Sequence, residues 1–274
     1  MSYETLKLEQ NEAVLTITVN RPEALNAQSR IMLEDFDRAM AEAATDDSVK
    51  VVIVAGAGKH FSAGHDIGSP QELEDQKRRP MKKGTASEYQ RTWDLYLENT
   101  LRWRDFPKPT IAQVQGYCIM GGLMLASACD LIMASDDAKF CDRAVRWGGS
   151  HVQYFSLPWD IGFRKAKEHL FTGDWLTAQE AERKGLVNRV VPREKLAEET
   201  MELAQRISMQ DAFALRTAKF SMNQMQDEMG FRTAVTGAFQ TYALTRVYRL
   251  EQGEDTMAGA QRAKTRDKAF GDHN

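Results

Sequence analysis

The sequence predicts an α/β fold built on a parallel sheet and followed by a mainly helical C-terminal region. Three observations carry that expectation. Val51, Val52, Ile53, Val54 and Ala55 form a fully apolar run of the kind buried on both faces of a sheet. Strand and helix patterns alternate as far as Ser135, and from Phe163 onward the pattern is helical apart from one short strand. The expected division is residues 1–200 for the α/β core and 201–274 for the helical region.

Taken in order, residues 13–20 are rich in β-branched side chains and end at Asn20, Arg21 and Pro22, which reads as a strand running into a turn. From Ser29, a good N-cap, Met32, Leu33, Phe36, Ala39 and Met40 recur at helical spacing. The apolar strand 51–55 follows. Residues 71–87, charge-rich and flanked or interrupted by Pro70, Pro80 and Gly84, read as a mobile loop. Tyr89, Trp93, Tyr96, Leu97, Leu101 and Trp103 define a helix ending before Phe106 and Pro107. Residues 110–115 are a second buried strand, 121–129 a helix and 131–135 a third strand. Helices are then expected over 164–172 and 177–184, a short strand over 187–191, and helices around 194–208, 211–228, 230–247 and 251–263.

Composition bounds the function. A chain of 274 residues with 42% hydrophobic and 27% charged residues is an ordinary globular enzyme with room for a real core. A net charge of −3 argues against a general nucleic-acid binder, whose affinity rests on neutralising phosphates. Cys118, Cys129 and Cys141 are odd in number and lack metal-ligand spacing, which points to reduced thiols in the cytoplasm. The N-terminus shows no export signal, and the apolar stretch from Ile119 to Ala134 is too short and too interrupted to span a membrane.

Two glycine-containing segments carry the chemistry. One is His60, Phe61, Ser62, Ala63, Gly64, His65, Asp66 and Ile67; the other is Gly116, Tyr117, Cys118, Ile119, Met120, Gly121 and Gly122. Each follows an apolar strand and leads toward a helix. Turns of this kind are able to aim two main-chain N–H groups at one oxygen that becomes negative during a reaction. Glycine lets backbone approach a ligand closely, and a helix starting near Gly121 adds its positive end.

With these segments in order, the chain resembles the crotonase superfamily, the enoyl-CoA hydratase/isomerase family. The likeness runs nearly end to end: residues 20–27, the Phe61–Ile67 stretch, Pro107 to Pro109, Gly121 and Gly122, Cys129 to Leu131, Phe171 to Gly173, Ala178 to Ala181, and Gly185 to Val187. It implies a spiral of ββα units, a C-terminal helical trimerisation region, a homotrimer or homohexamer, and a coenzyme A thioester as substrate, with no metal and no redox cofactor. By this resemblance the thioester oxygen meets the N–H groups of His65 and Gly121. The carbonyl of Ala63 meets the adenine amine, and backbone at Ala24 and Leu25 lines the pantetheine groove. Asp66 and Ile67 flank the same motif, and Trp147 belongs to the stretch that lines the acyl pocket in the family.

The pattern breaks at the acids. Hydratases of the family carry two glutamates that hold and activate water; the corresponding positions here are Met124 and Ala144, neither of which transfers a proton. His151 is the candidate proton carrier, because imidazole titrates near neutrality, against the alternative of a histidine satisfied within the core. Asp142 is a candidate base, or else the ion-pair partner of Arg143 and Arg146. His60, His169 and His273 are expected to be solvated or structural. The Phe61–Ile67 stretch also resembles methylmalonyl-CoA decarboxylases of this superfamily, in which a tyrosine occupies the acyl pocket; an ungapped count puts that tyrosine at His151. Losing CO₂ creates the enolate without a base. Decarboxylation, isomerisation and thioester hydrolysis therefore stand beside hydration, as does a non-catalytic acyl-CoA binding protein. Arg78, Arg79, Lys82 and Lys83 are expected either to face the CoA phosphates or to form a solvated charged loop.

Overall fold

The computed structural model describes residues 3–254 and Thr265. Its strands are β1 (Leu6–Asn11), β2 (Val14–Val19), β3 (Val51–Gly56), β4 (Thr110–Val114), β5 (Tyr117–Ile119), β6 (Leu131–Ser135), β7 (Lys139–Cys141), β8 (Leu176–Thr177) and β9 (Arg189–Val191). Six of them form one sheet in the order β1-β2-β3-β4-β6-β9, parallel throughout except for the β1–β2 hairpin. A small second sheet has the order β5-β7-β8.

Side-chain alternation explains why β3 is apolar at every position. Val52 and Val54 join Met32, Leu33, Phe36 and Met40 of the helix Arg30–Thr45 in one cluster. Val51 and Ile53 point to the opposite face and pack with Leu196 and Ala204 of the helix Leu196–Ser208. That helix runs through position 200, with Leu196 and Ala204 in the core on either side of it.

The chain winds between the two sheets in a repeated path. β3 lies in the large sheet, Ser62 bridges Cys118 in the small one, and helices follow. β4 and β5 repeat the step before the helix Gly121–Ser127, and β6 and β7 repeat it before the helix Ala144–Trp147. This is the expected spiral of ββα turns. The C-terminal helix Phe231–Glu251 returns across the body, and Phe231, Val235 and Phe239 pack on Leu97, Leu101, Met124 and Tyr154.

The sequence reading missed some elements and misjudged one. β5, β7 and β8 carry too few residues to show a period of two, and β1 is mostly exposed. The segment read as a mobile loop instead holds a helix, Pro70–Arg78. Ser69 caps it by accepting from the Glu72 amide, and Pro70 occupies the first turn, where a missing N–H costs nothing. Its buried Asp75 binds Arg30, which fastens the helix to the body. The helix expected over 251–263 falls almost wholly outside the described residues, as does His273. Among the described residues, no helix is long and apolar enough to cross a membrane.

The turn before the helix Arg30–Thr45 is locked by one buried amide. Asn26 accepts from the Arg21 amide through Oδ1 and donates through Nδ2 to the carbonyls of Ala57 and His60. It adopts φ 54°, a conformation asparagine tolerates better than most residues. Asn26→Ala strands the Arg21 N–H, a loss of about 1–3 kcal/mol for that donor alone. A urea titration should show a clearly lowered midpoint; an unchanged midpoint contradicts the assignment.

Candidate active site

Strand register builds the site. Ser62 pairs with Cys118, and Cys118 pairs with Phe140, all in parallel. Counting three residues on from each reaches His65, Gly121 and Arg143, so the register delivers three turns to one edge of the small sheet. The first two touch closely. A Cβ on Gly64 would lie 2.8 Å from the Ile119 carbonyl and 3.1 Å from the Gly121 nitrogen. One on Gly121 would lie 2.4 Å from Gln28 Oε1 and 2.7 Å from the His65 ring. Neither position has room for a side chain.

Gln28 stitches the turns together. Its backbone takes the Asp66 amide and gives its own N–H to the Gly64 carbonyl, while its side chain donates to the Gly121 carbonyl at 2.9 Å. Met120, just before Gly121, is held at φ 51°, ψ −112°, a conformation costing about 1–3 kcal/mol for a residue with a side chain. Its amide donates to the Cys141 carbonyl, tying the second turn to the third. Among the described residues, the N–H groups of His65 and Gly121 find no acceptor in the chain. First-turn helical amides such as that of Gly121 lack a partner in their own helix.

Leu25 lies against the first turn. The Ala63 amide donates to the Leu25 carbonyl at 3.0 Å, and Leu25 and Ile67 remain exposed, at 44% and 45%. Leu25 is also at positive φ, 53°. Asp66 belongs to the scaffold: its carboxylate takes Arg21 at 2.8 Å and also bonds to Gly68 and Ser69. Burial alone would raise it, but the Ser69, Gly68 and Arg21 hydrogen bonds hold it below the ordinary aspartate value.

The His65 imidazole has a defined seat. Its Nε2 lies 3.1 Å from Gln153 Oε1, its face packs on Tyr96 at 3.9 Å between centroids, and its Nδ1 is buried without a partner. Burial pushes it down to about 4, against an opposing hydrogen bond from Gln153, so the ring is neutral at physiological pH. Gln153 in turn donates to the Tyr242 hydroxyl at 3.0 Å. Gln28, Tyr96, Gln153 and Tyr242 were not singled out from the sequence. Each lies outside the glycine segments, and the partners of Gln153 are 88 and 89 residues away from it.

The other named residues divide sharply. Met124 is buried in the cluster with Leu97, Leu101 and Val152, and Ala144 is buried at the start of its short helix. Trp147 ends that helix, half-buried. Asp142 is fully buried and accepts from the amides of Ala144 and Val152 at 3.0 Å each. Desolvation raises it to about 6 despite those bonds. It clips the 142–152 loop through those two amides. His151 bonds to the Val152 carbonyl at 2.8 Å and to Thr241 at 3.0 Å, and it stacks on Phe155. Both of its nitrogens are engaged, so it fastens the loop to the helix Phe231–Glu251. His60 accepts from the Tyr117 amide, and His169 from the Asp142 amide, as structural histidines do. Arg79 pairs with Asp75 and Glu34, and Arg78 with Asp75 at 3.5 Å, so these arginines hold the 70–78 helix.

His169 yields a pH prediction. Burial, aided by the charge of Lys165, pushes its imidazole down to about 4, against roughly 6.5 when unfolded. A depressed value means that its stabilisation is complete above about pH 6.5 and is lost as pH falls toward 4. Asp142, raised by burial, works in the opposite sense and is present in both chains compared. The unfolding temperature of His169→Gln should be below wild type near neutral pH and should fall less steeply on acidification. Parallel curves would contradict this.

Comparisons agree with the geometry. The profile of the enoyl-CoA hydratase/isomerase family matches residues 9–257. The chain is 41% identical over 258 residues to a putative enoyl-CoA hydratase of Mycobacterium tuberculosis, covering 90% of this chain and 80% of that one. It is 30% identical to the hydroxycinnamoyl-CoA hydratase-lyase of Pseudomonas fluorescens, covering 82% and 80%. Among solved structures, a probable enoyl-CoA hydratase of Mycobacterium smegmatis superposes with a TM-score of 0.84 at 46% identity, covering 90% and 97%. The ordered motifs, the spiral of ββα turns and these relatives agree: the chain belongs to the enoyl-CoA hydratase/isomerase family and has the crotonase fold.

Proposed function

We propose that this protein is an acyl-CoA enzyme that polarises a thioester carbonyl with the N–H groups of His65 and Gly121 and stabilises the enolate that follows. The observation that supports it is the contact of the two glycine turns, each bringing an amide without an acceptor to the same edge of the small sheet. One donor of this kind is worth about 3–4 kcal/mol in the transition state, so a pair supplies much of a catalytic effect. Leu25, Ile67 and the Ala63 backbone offer an exposed apolar strip for the pantetheine arm, with the Ala63 carbonyl for the adenine amine.

The reaction is one that does without a pair of carboxylates. Met124 and Ala144 are buried and apolar where the family's hydratases carry their acids, and Asp142 and His151 are tied into the loop. Decarboxylation of a malonyl-type thioester fits best, because departure of CO₂ leaves the electron pair on the α-carbon and needs no base. Thioester hydrolysis and isomerisation stand behind it. The protein works as a homotrimer or homohexamer: the helix Ala212–Glu228 exposes Phe213 and Phe220 on one side and Met222 and Met225 on another, which offers apolar surface to further copies.

Three measurements test this. A mass-spectrometric screen of enoyl, malonyl-type and saturated CoA thioesters should find turnover, fastest for a malonyl-type substrate; tight binding with no product from any of them would make the protein a silent acyl-CoA binder. Gly121→Pro removes one N–H and, because a ring does not fit there, also forces the two turns apart, so kcat should fall by at least about 10²–10³. Turnover at the wild-type level would reject the mechanism. Light scattering on the purified chain should give a trimer or hexamer, and a monomer at micromolar concentration would refute the assembly.

A further inference from the structure

The carbonyl-polarising role uses only the backbone of His65, yet its side chain is fixed on three sides. Tyr96 covers one face from within the π-helical segment Trp93–Glu98, and π-helical turns, being costly, recur at functional sites. Gly121 closes the ring edge that carries Nδ1 and Cε1. Gln153, itself buried, meets Nε2. The segment around Gln153 has no strand partner, so its amide is oriented by the Tyr242 hydroxyl, on the helix Phe231–Glu251 of the same chain.

We propose that Gln153 is a positioning residue of this site: anchored by Tyr242, it holds the His65 imidazole as the Nε2–H tautomer against Gly121 and thereby sets the direction of the two turn amides. The inference rests on the carbonyl-polarising role of those amides. The hydrogen bonds define the tautomer. Gln153 Nε2 is taken up by Tyr242, so Oε1 faces the imidazole and accepts its Nε2–H. Nδ1 is then a bare acceptor, and a buried acceptor without a partner is better tolerated than a buried N–H without one. The ring transmits position because it fills the gap between the turns. Any tilt of the imidazole moves either the His65 backbone or Gly121, and misplacement by about 1 Å is enough to cost roughly 100-fold in rate. The C-terminal helix thus reaches the thioester site through one amide side chain. No charged group acts directly on the imidazole. Its titratable neighbours are the phenols of Tyr96 and Tyr242, which in turn feel Glu88 and Arg91, with Glu72 at Tyr96 and Arg246 at Tyr242.

The test combines nitrogen NMR of the full chain with kinetics. In wild type, the ¹⁵N-labelled His65 ring, assigned by its loss in His65→Ala, should show the Nε2–H tautomer and remain neutral across about pH 5 to 8. Gln153→Glu keeps an acceptor but adds a charge, so the ring should titrate inside that window. Gln153→Met should mix the tautomers and lower kcat about 10- to 100-fold, while calorimetric affinity for butyryl-CoA changes little. Gln153→Glu should recover part of that loss, and Tyr242→Phe should move both readouts in the same direction as Gln153→Met, by less. An Nδ1–H tautomer in wild type, or wild-type turnover in Gln153→Met with an unchanged ring spectrum, would overturn the proposal. If wild type turns over no thioester, the enzymatic role fails, and the tautomer spectra still decide the role of Gln153.

Discussion

The parallel pairing of Ser62, Cys118 and Phe140 is the constraint on which the site depends. Those three residues lie on successive turns of one spiral, and their register brings three loops to a common edge. A shift of one residue would turn Gly121 away from His65, because side chains and peptide groups alternate along a strand. The large sheet makes the register hard to change. β3, β4 and β6 are apolar on both faces and clamped between two helices, so their small-sheet continuations inherit fixed starting points. Close approach then falls to the glycines. Gly64 and Gly121 are needed at the contact because a methyl group on either would enter backbone or ring atoms.

A second consequence of the same geometry is that the carboxylates and His151 near the site are engaged. Asp66 is held by Arg21 and Ser69, Asp142 by two amides, and His151 by Val152 and Thr241. Buried polar groups that are satisfied in this way make the loops rigid. Met124 and Ala144 are buried and apolar, which leaves an edge poor in titratable groups. Such an edge favours reactions in which negative charge appears on a thioester oxygen without prior proton removal.

Much of the scaffold was legible in the sequence, and the reasons are physical. Residues 51–55 announced a doubly buried strand because no polar side chain fits there, and Ser29 announced the helix Arg30–Thr45 because it caps that helix through the Met32 amide. The glycine turns were legible for the same reason: their spacing from the strands fixed their place at the sheet edge. The roles of Asp142 and His151 were not. An aspartate that clips two amides and one that acts as a base are the same letter, and only burial and partners separate them. The 70–78 helix was hidden because prolines and charges favour loops locally, whereas its stability comes from the Arg30–Asp75 contact, 45 residues apart. Gln153 was hidden for a like reason. Its partner Tyr242 lies 89 residues away, on the helix Phe231–Glu251.

The central claim concerns two amides and one carbonyl, and the carbonyl itself reports on them. Isotope-edited infrared spectroscopy of butyryl-CoA labelled with ¹³C at the thioester carbonyl, free and bound to the full chain, measures that polarisation without requiring turnover. The bound carbonyl stretch should move to lower frequency, and the displacement should be lost in Gly121→Pro. A bound ligand whose carbonyl stretch matches that in solution would contradict the claim.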